Sequence, residues 1–337
     1  MARVLIAGPA AMVLSIVIGP AFIGWWRRSG VGQQIREVGP ARHIVKQGTP
    51  TMGGLLILAA AMVPFLVLSK YTLPGLTLVL TTLGCAAIGF ADDYLKVRKR
   101  RSLGLSGRWK MVGLVLITIG VGLVVTQVGY LDTEIYFPVL DLSIDLGWFY
   151  FPFLYFVIAG AANGVNLTDG IDGLAAGTCA ISLLTFLAIA AISWIRSGDV
   201  GFRSNNYLDV AIFTAALIGG VIGFLWFNAF PAELFMGDTG SLALGGALAG
   251  LAVMTQTEVL LIFIGGVYVI EALSVMIQVA SFKSTGKRVF LISPIHHHFE
   301  MKAWSETKIM VRFWILGSIS CALGFVLFYR YYLSFKL

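Results

Sequence analysis

Ten times along this 337-residue chain there is a run of mostly apolar residues about as long as a helix that crosses a bilayer, roughly 17–25 residues. The runs lie at about 4–26, 52–69, 73–94, 111–131, 148–163, 174–195, 208–228, 239–255, 258–282 and 309–332. The expected fold is an all-α polytopic membrane protein with about ten transmembrane helices, one domain over residues 1–337. The fifth and eighth runs are short, and a tilt or break is expected there. Composition agrees: 58% of residues are hydrophobic and only 12% charged, where a soluble domain carries about a quarter. The first run is longer than a signal-peptide core and lacks a clear small-x-small cleavage site, so it is expected to be a retained span.

The net charge of +7 raises nucleic acid as a partner. The placement of the bases argues against it, because they cluster in short loops between apolar runs. Loops 27–50, 95–110 and 283–308 hold 17 of the 24 Lys and Arg residues, all on one face. That face is expected to be cytoplasmic, with both termini periplasmic. Loops 164–173 and 229–238 share it and carry no base, only Asn166, Asp169, Asp172, Glu233 and Asp238 as notable polar groups. On the other side, Asp132 to Asp145 alternates polar and apolar residues around Pro138, the pattern of a short periplasmic hairpin. Cys85, Cys179 and Cys321 sit in apolar runs and read as small core residues. No internal repeat supports a duplicated transporter. Gly219-x-x-x-Gly223 and Gly246-x-x-x-Gly250 permit close helix approach and weakly favour a homodimer.

Asp92-Asp93 ends the third run, at the expected cytoplasmic end of its helix. Ionised groups at a bilayer are expensive and tend to mark working sites. Each carboxylate also disfavours ionisation of the other, and the helix C-terminus adds a partial negative charge. Three penalties at one point call for a cation: a divalent metal, or the basic segment beginning at Lys96. A pair of interfacial acids neutralised by Lys96 is the plainer reading, but that role rarely needs two.

Asn163-Gly-Val-Asn166-Leu-Thr-Asp169-Gly170-Ile171-Asp172-Gly173 follows the fifth run. A helix cap accounts for one of its acids. The second acid, two Asn and three Gly remain, and Gly lets backbone N–H groups approach a ligand. Phe235-Met-Gly-Asp238-Thr239-Gly-Ser241 opens the eighth run. Asp238 is either a cap or, with the hydroxyls and a helix N-terminus, part of a site for Mg²⁺ and phosphate. Asn228 and Phe235 are close enough in sequence to face one cavity. Pro294-Ile-His296-His297-His298-Phe-Glu300 is a poor zinc site, since three consecutive rings cannot all face one ion. With Lys283, Lys287 and Arg288 it suits a pyrophosphate. Lys46 and Thr51 flank the start of the second run, where the Lys can meet an anion. Glu271 lies mid-span in the ninth run, protonated or paired inside the bundle.

Lys46 with Thr49-Pro-Thr-Met-Gly-Gly54, Asp92-Asp93-Tyr94-x-Lys96, Asn166 to Ala175, Phe235 to Ser241 and Pro294 to Glu300 occur in an ordered series. This series resembles the bacterial phospho-N-acetylmuramoyl-pentapeptide transferases, a branch of the polyprenyl-phosphate N-acetylhexosamine-1-phosphate transferase superfamily. One mild departure is Ile171, where the family has Leu. The resemblance implies that UDP-N-acetylmuramoyl-pentapeptide and undecaprenyl phosphate give lipid I and UMP with Mg²⁺, for peptidoglycan, at the bacterial cytoplasmic membrane. It implies a nucleoside and phosphate pocket from Lys46, Thr51, Lys96, Asn163, Asn166, Asp169, Gly170, Ile171, Asp172, Asn228 and Phe235. His296, catalytic in this reading, would hold the sugar-pyrophosphate region with His297 and His298. Asp238 is the expected Mg²⁺ ligand, assisted by Asp92 or Asp93. Asp92 is expected to deprotonate or orient the lipid phosphate, and Asp93 is the alternative nucleophile of a two-step route. The lipid tail and membrane lipids would lie between helices. The rival readings are a superfamily member using UDP-N-acetylglucosamine, and a transporter of the same ligands that performs no chemistry.

Overall fold

A computed structural model describes residues 1–28, 48–99, 103–127, 132–199 and 201–334. Each of the ten apolar runs forms helix. In chain order the helices are α1 (Ala2–Arg28), α2 (Gly54–Leu68), α3 (Leu73–Arg98), α4 (Gly107–Gln127), α5 (Tyr150–Thr168), α6 (Leu174–Arg196), α7 (Asn205–Asn228), α8 (Gly237–Met254), α9 (Leu261–Ile264), α10 (Gly266–Thr285), α11 (Ile295–Met301) and α12 (Glu306–Ser334). Among the described residues eight helices are long and apolar enough to cross a membrane, which makes this a multi-pass membrane protein. The 15-residue α2 and the glycine-rich α8 fall outside that set. Strands β1 (Glu134–Phe137) and β2 (Leu142–Asp145) form the expected antiparallel hairpin, with Glu134 opposite Asp145.

Neither short run is broken. α5 and α8 are continuous, and the ninth run is the one that divides, at Gly265 between α9 and α10. Backbone carbonyls freed inside a membrane protein need partners. Ser320 donates to the Phe263 carbonyl at 2.5 Å, and Ser182 to that of Ile264 at 3.0 Å. A Cβ on Gly266 would collide with the Ser320 hydroxyl, so the glycine lets the Ser320 side chain of α12 lie directly on the α10 backbone at the break.

α7 is the central post. Of its most apolar stretch 83% is buried, against 28% for α1, α4, α10 and α12, which lie at the periphery of the bundle. The glycine pairs serve this packing. A Cβ on Gly219 would collide with the Gly8 carbonyl, and one on Gly223 would lie 2.7 Å from the Met12 carbonyl, so α7 rides against α1. Gly246 and Gly250 likewise face Cys85 and Leu78 of α3. Both spacings are used for packing within the chain, so they are not themselves an argument for a homodimer. A buried Asp on α7, Asp209, accepts from the Lys70 and Thr72 backbones at 2.7 and 2.8 Å and so caps the start of α3 from a neighbouring helix.

Candidate active site

The end of α3 meets the start of α8, and glycine makes the meeting possible. A Cβ on Gly89 would collide with the Asp238 carbonyl oxygen. Asp93 faces the exposed N–H groups of α8. It accepts from the Asp238 nitrogen at 3.2 Å, the Thr239 nitrogen at 2.9 Å and the Thr239 hydroxyl at 2.7 Å. This carboxylate on one helix thus caps another, with charge and dipole aligned. The N-cap residue of α8 itself, Met236, supplies no side-chain bond, and Asp238 stands in the first turn with its carboxylate free of capping.

Asp92 points another way. Its Oδ1 accepts from the Leu105 nitrogen at 2.7 Å and lies 3.1 Å from Lys110 Nζ, while Oδ2 is 2.5 Å from Lys96 Nζ. Lys96 also reaches Asp238 at 3.1 Å and Asp93 at 3.6 Å, and Lys110 reaches Asp238 at 2.6 Å. Asp92, Asp93 and Asp238 each offer an oxygen, and these atoms lie within 4.8 Å of one another. Three converging carboxylates suit a hard divalent cation, and the donor set fits one. The two ammonium groups supply positive charge at the same place. Lys110 is the residue that reading the sequence missed: it lies among seven bases of loop 95–110, and no local motif distinguishes it.

The glycine-rich segment before α2 is joined to the loop before α8 by backbone bonds. Phe235 donates to the Pro50 carbonyl, and Gly53 and Gly54 donate to Phe235 and Met236, at 2.8–2.9 Å. Gly237 has φ +73°, and a Cβ there would sit 2.6 Å from Asp93 Oδ2 and 3.0 Å from the hydroxyl of buried Thr51. A side chain at this position would therefore be strained twice. Phe235 is half-buried. Lys46 lies outside the described residues.

Between α5 and α6 the expected caps are not formed. The N-cap of α6 is Gly173, with φ +75° and no side-chain bond. Asp172 accepts instead from the Ala232 nitrogen at 3.0 Å. Asn228 ties the same two segments together, accepting from the Gly173 nitrogen at 3.0 Å and donating to the Leu234 carbonyl at 2.9 Å. Asn166 donates to the Ser241 hydroxyl at 2.8 Å, so this loop is also fastened to α8. Asn163 donates within its own helix, to the Ala159 carbonyl at 2.7 Å. Ile171 is buried beside Leu174, Val267, Ile309 and Phe313. Burial first, and then the negative charges of Asp238, Asp93 and Asp172, push the Asp169 carboxyl up to about 8. Asp169 is therefore electrostatically part of the three-acid cluster.

The histidines of α11 separate. His296 is fully buried, its Nδ1 3.1 Å from Glu271 Oε1. His297 pairs with Glu300 through Nδ1. His298 turns the other way and accepts from the Leu291 nitrogen at 3.1 Å. A Cβ on Gly170 would collide with His296 Nε2 and lie 3.3 Å from His297 Nε2, so two of the three rings sit over the acidic loop. Lys283, Lys287 and Arg288 are exposed beyond the end of this cluster.

Comparison with known proteins is consistent along the whole chain. Glycosyl transferase family 4 matches residues 76–256, and the phospho-N-acetylmuramoyl-pentapeptide-transferase signature 1 matches residues 46–58. A phospho-N-acetylmuramoyl-pentapeptide-transferase of Halalkalibacterium halodurans is 48% identical over 94% of this chain and 95% of its own length. Proteins of the same name from Frankia alni and Bacillus subtilis are each 46% identical. They cover 99% and 93% of this chain and 99% and 94% of their own lengths.

Proposed function

The chain belongs to the phospho-N-acetylmuramoyl-pentapeptide-transferase family, an enzyme family of peptidoglycan synthesis, and from that premise we propose its reaction in full. It transfers phospho-N-acetylmuramoyl-pentapeptide from its UDP carrier to undecaprenyl phosphate, giving lipid I and UMP, with Mg²⁺, at the cytoplasmic face of the bacterial inner membrane. The carrying observation is the convergence of Asp92, Asp93 and Asp238 at one helix junction, with the Asp169 loop and two imidazoles alongside. Lys96 and Lys110 lie at that end of the helices, and the placement of most bases in loops 27–50, 95–110 and 283–308 supports a cytoplasmic site and outward termini.

Phosphoryl transfer is governed by positioning and charge neutralisation more than by covalent chemistry. An oxygen of the lipid phosphate attacks the β-phosphorus of the nucleotide sugar, and the bond from that phosphorus to the bridging oxygen breaks as UMP leaves. Asp238, assisted by Asp92, would hold Mg²⁺, which when bound neutralises charge on the diphosphate. Asp92 accepts from or orients the attacking phosphate. Lys96 and Lys110, already within ion-pair reach of Asp92 and Asp238, follow the phosphate charge as it develops. Asp93 has both oxygens engaged with α8, which makes it a poor nucleophile and favours attack in one step.

The deciding experiment measures UMP release by the purified chain with undecaprenyl phosphate and either UDP-N-acetylmuramoyl-pentapeptide or UDP-N-acetylglucosamine. Turnover is expected with the first only, and lost in folded Asp238→Asn. Turnover with the second would assign the chain to the other branch of the superfamily. No turnover with either, despite ligand binding, would favour a carrier. Near-normal turnover by Asp238→Asn would refute the metal assignment.

A further inference from the structure

We infer that Glu271 is a positioning residue that holds His296 over the Gly170 loop. This inference rests on the transferase reading above. Both side chains are 0% exposed, and Glu271 Oε1 lies 3.1 Å from His296 Nδ1. Among the described residues neither Glu271 oxygen and neither His296 nitrogen has a hydrogen-bond partner, so the 3.1 Å approach between them is an ion-pair contact. Two ionisable groups buried with only each other do not serve stability well, because a well-packed apolar pair of the same volume is usually as good or better. Placing them in a membrane protein raises the penalty and marks them as functional candidates.

The backbone is built to bring them together. α10 ends at Thr285, and the chain then doubles back along it. Gln278 pins this return: it accepts from the Val289 and Phe290 nitrogens at 3.0 and 2.9 Å and donates to the Phe290 carbonyl at 2.9 Å. The return delivers α11 to the second turn of α10, where Glu271 stands. His296 therefore has Nδ1 toward Glu271 and Nε2 toward Gly170, with His297 Nε2 converging on the same point. A carboxylate behind a functional imidazole sets its orientation and tautomer. Here the carboxylate lies on the Nδ1 side of the ring, and Nε2 faces the loop that carries Asp169. Glu271 is fully buried, away from any surface open to substrate. It acts through the ring.

The test uses the full chain in detergent, with Glu271→Leu, Glu271→Gln, His296→Ala and the Glu271→Leu/His296→Ala double variant. Nitrogen-15 histidine spectra read the ring directly and UMP release reads turnover. Glu271→Leu is expected to move the His296 Nδ1 resonance and lower kcat about 10–100-fold. KM for the nucleotide sugar should stay within about threefold, because a contact that matters in the transition state is lost. Glu271→Gln keeps an acceptor oxygen and should restore most of kcat. The double variant should be no slower than His296→Ala, since both changes break one unit. An unmoved His296 resonance, wild-type kcat in folded Glu271→Leu, or additive losses would each overturn the inference. Absence of UMP release by the wild-type chain would refute the transferase reading instead, and the His296 resonance would still decide the coupling.

Discussion

Asp93 near the end of α3 accepts two hydrogen bonds from Thr239, its backbone nitrogen at 2.9 Å and its hydroxyl at 2.7 Å, across 146 residues of chain. This contact divides the labour of the adjacent acids. Asp93 fastens α8, and Asp92 is left to the lysines. A charged acceptor makes a hydroxyl bond worth about 1.5–3 kcal/mol. Thr239→Val keeps the shape and removes the donor. It is expected to lower unfolding free energy by about that amount, measured as a fall in detergent melting temperature, and to reduce turnover through displacement of Asp238.

Lys110 bridges Asp92 and Asp238 at 3.1 and 2.6 Å. Removing one preorganised donor aimed at developing negative charge typically lowers kcat by about 10²–10³. Lys110→Gln is expected to fall in that range while remaining folded, and Lys110→Arg to recover part of the rate. Wild-type kcat in Lys110→Gln would exclude it from the reaction.

Glu258 lies in the turn between α8 and α9 and accepts from the Tyr150 hydroxyl at 2.9 Å. Burial pushes its carboxyl up to about 7, against the pull of its own backbone N–H and of Tyr150. With the folded-state value above the ordinary 4.5, the native protein binds the proton more tightly than the unfolded chain. The contribution to stability is therefore complete below about 4.5 and lost as pH rises through about 7. Melting temperature of the wild type should fall across this window, and Glu258→Gln should flatten that part of the profile.

Gly219 meets the Gly8 carbonyl where α7 crosses α1. Overpacking usually costs about 1–3 kcal/mol, and backbone on both sides leaves little room to yield. Gly219→Ala is expected at the upper end, read by thermal melting. The oligomeric state in detergent should not change, because the contact is internal.

Much of this was legible without coordinates. The helices follow from runs of apolar residues, and hydropathy is a property of each run by itself. Asp92, Asp93 and Asp238 stood out because charge at a bilayer edge is costly wherever the chain goes next. Helix breaks were less legible. The break fell at Gly265 and not in the short fifth or eighth runs, because Ser182 and Ser320 from other helices satisfy the carbonyls it frees. Asp209 was not legible for a similar reason: its partners, Lys70 and Thr72, lie 139 and 137 residues away along the chain.

The sequence by itself determined a multi-pass helical membrane protein, its family motifs and the acids that stand out at the ends of its apolar runs. Only the tertiary structure decided which acid caps a helix, that Lys110 joins the site, and that Glu271 meets His296. Neighbours on a helix point about 100° apart, so what Asp92 and Asp93 each meet is set by the helices packed beside them, and those arrive from distant parts of the chain.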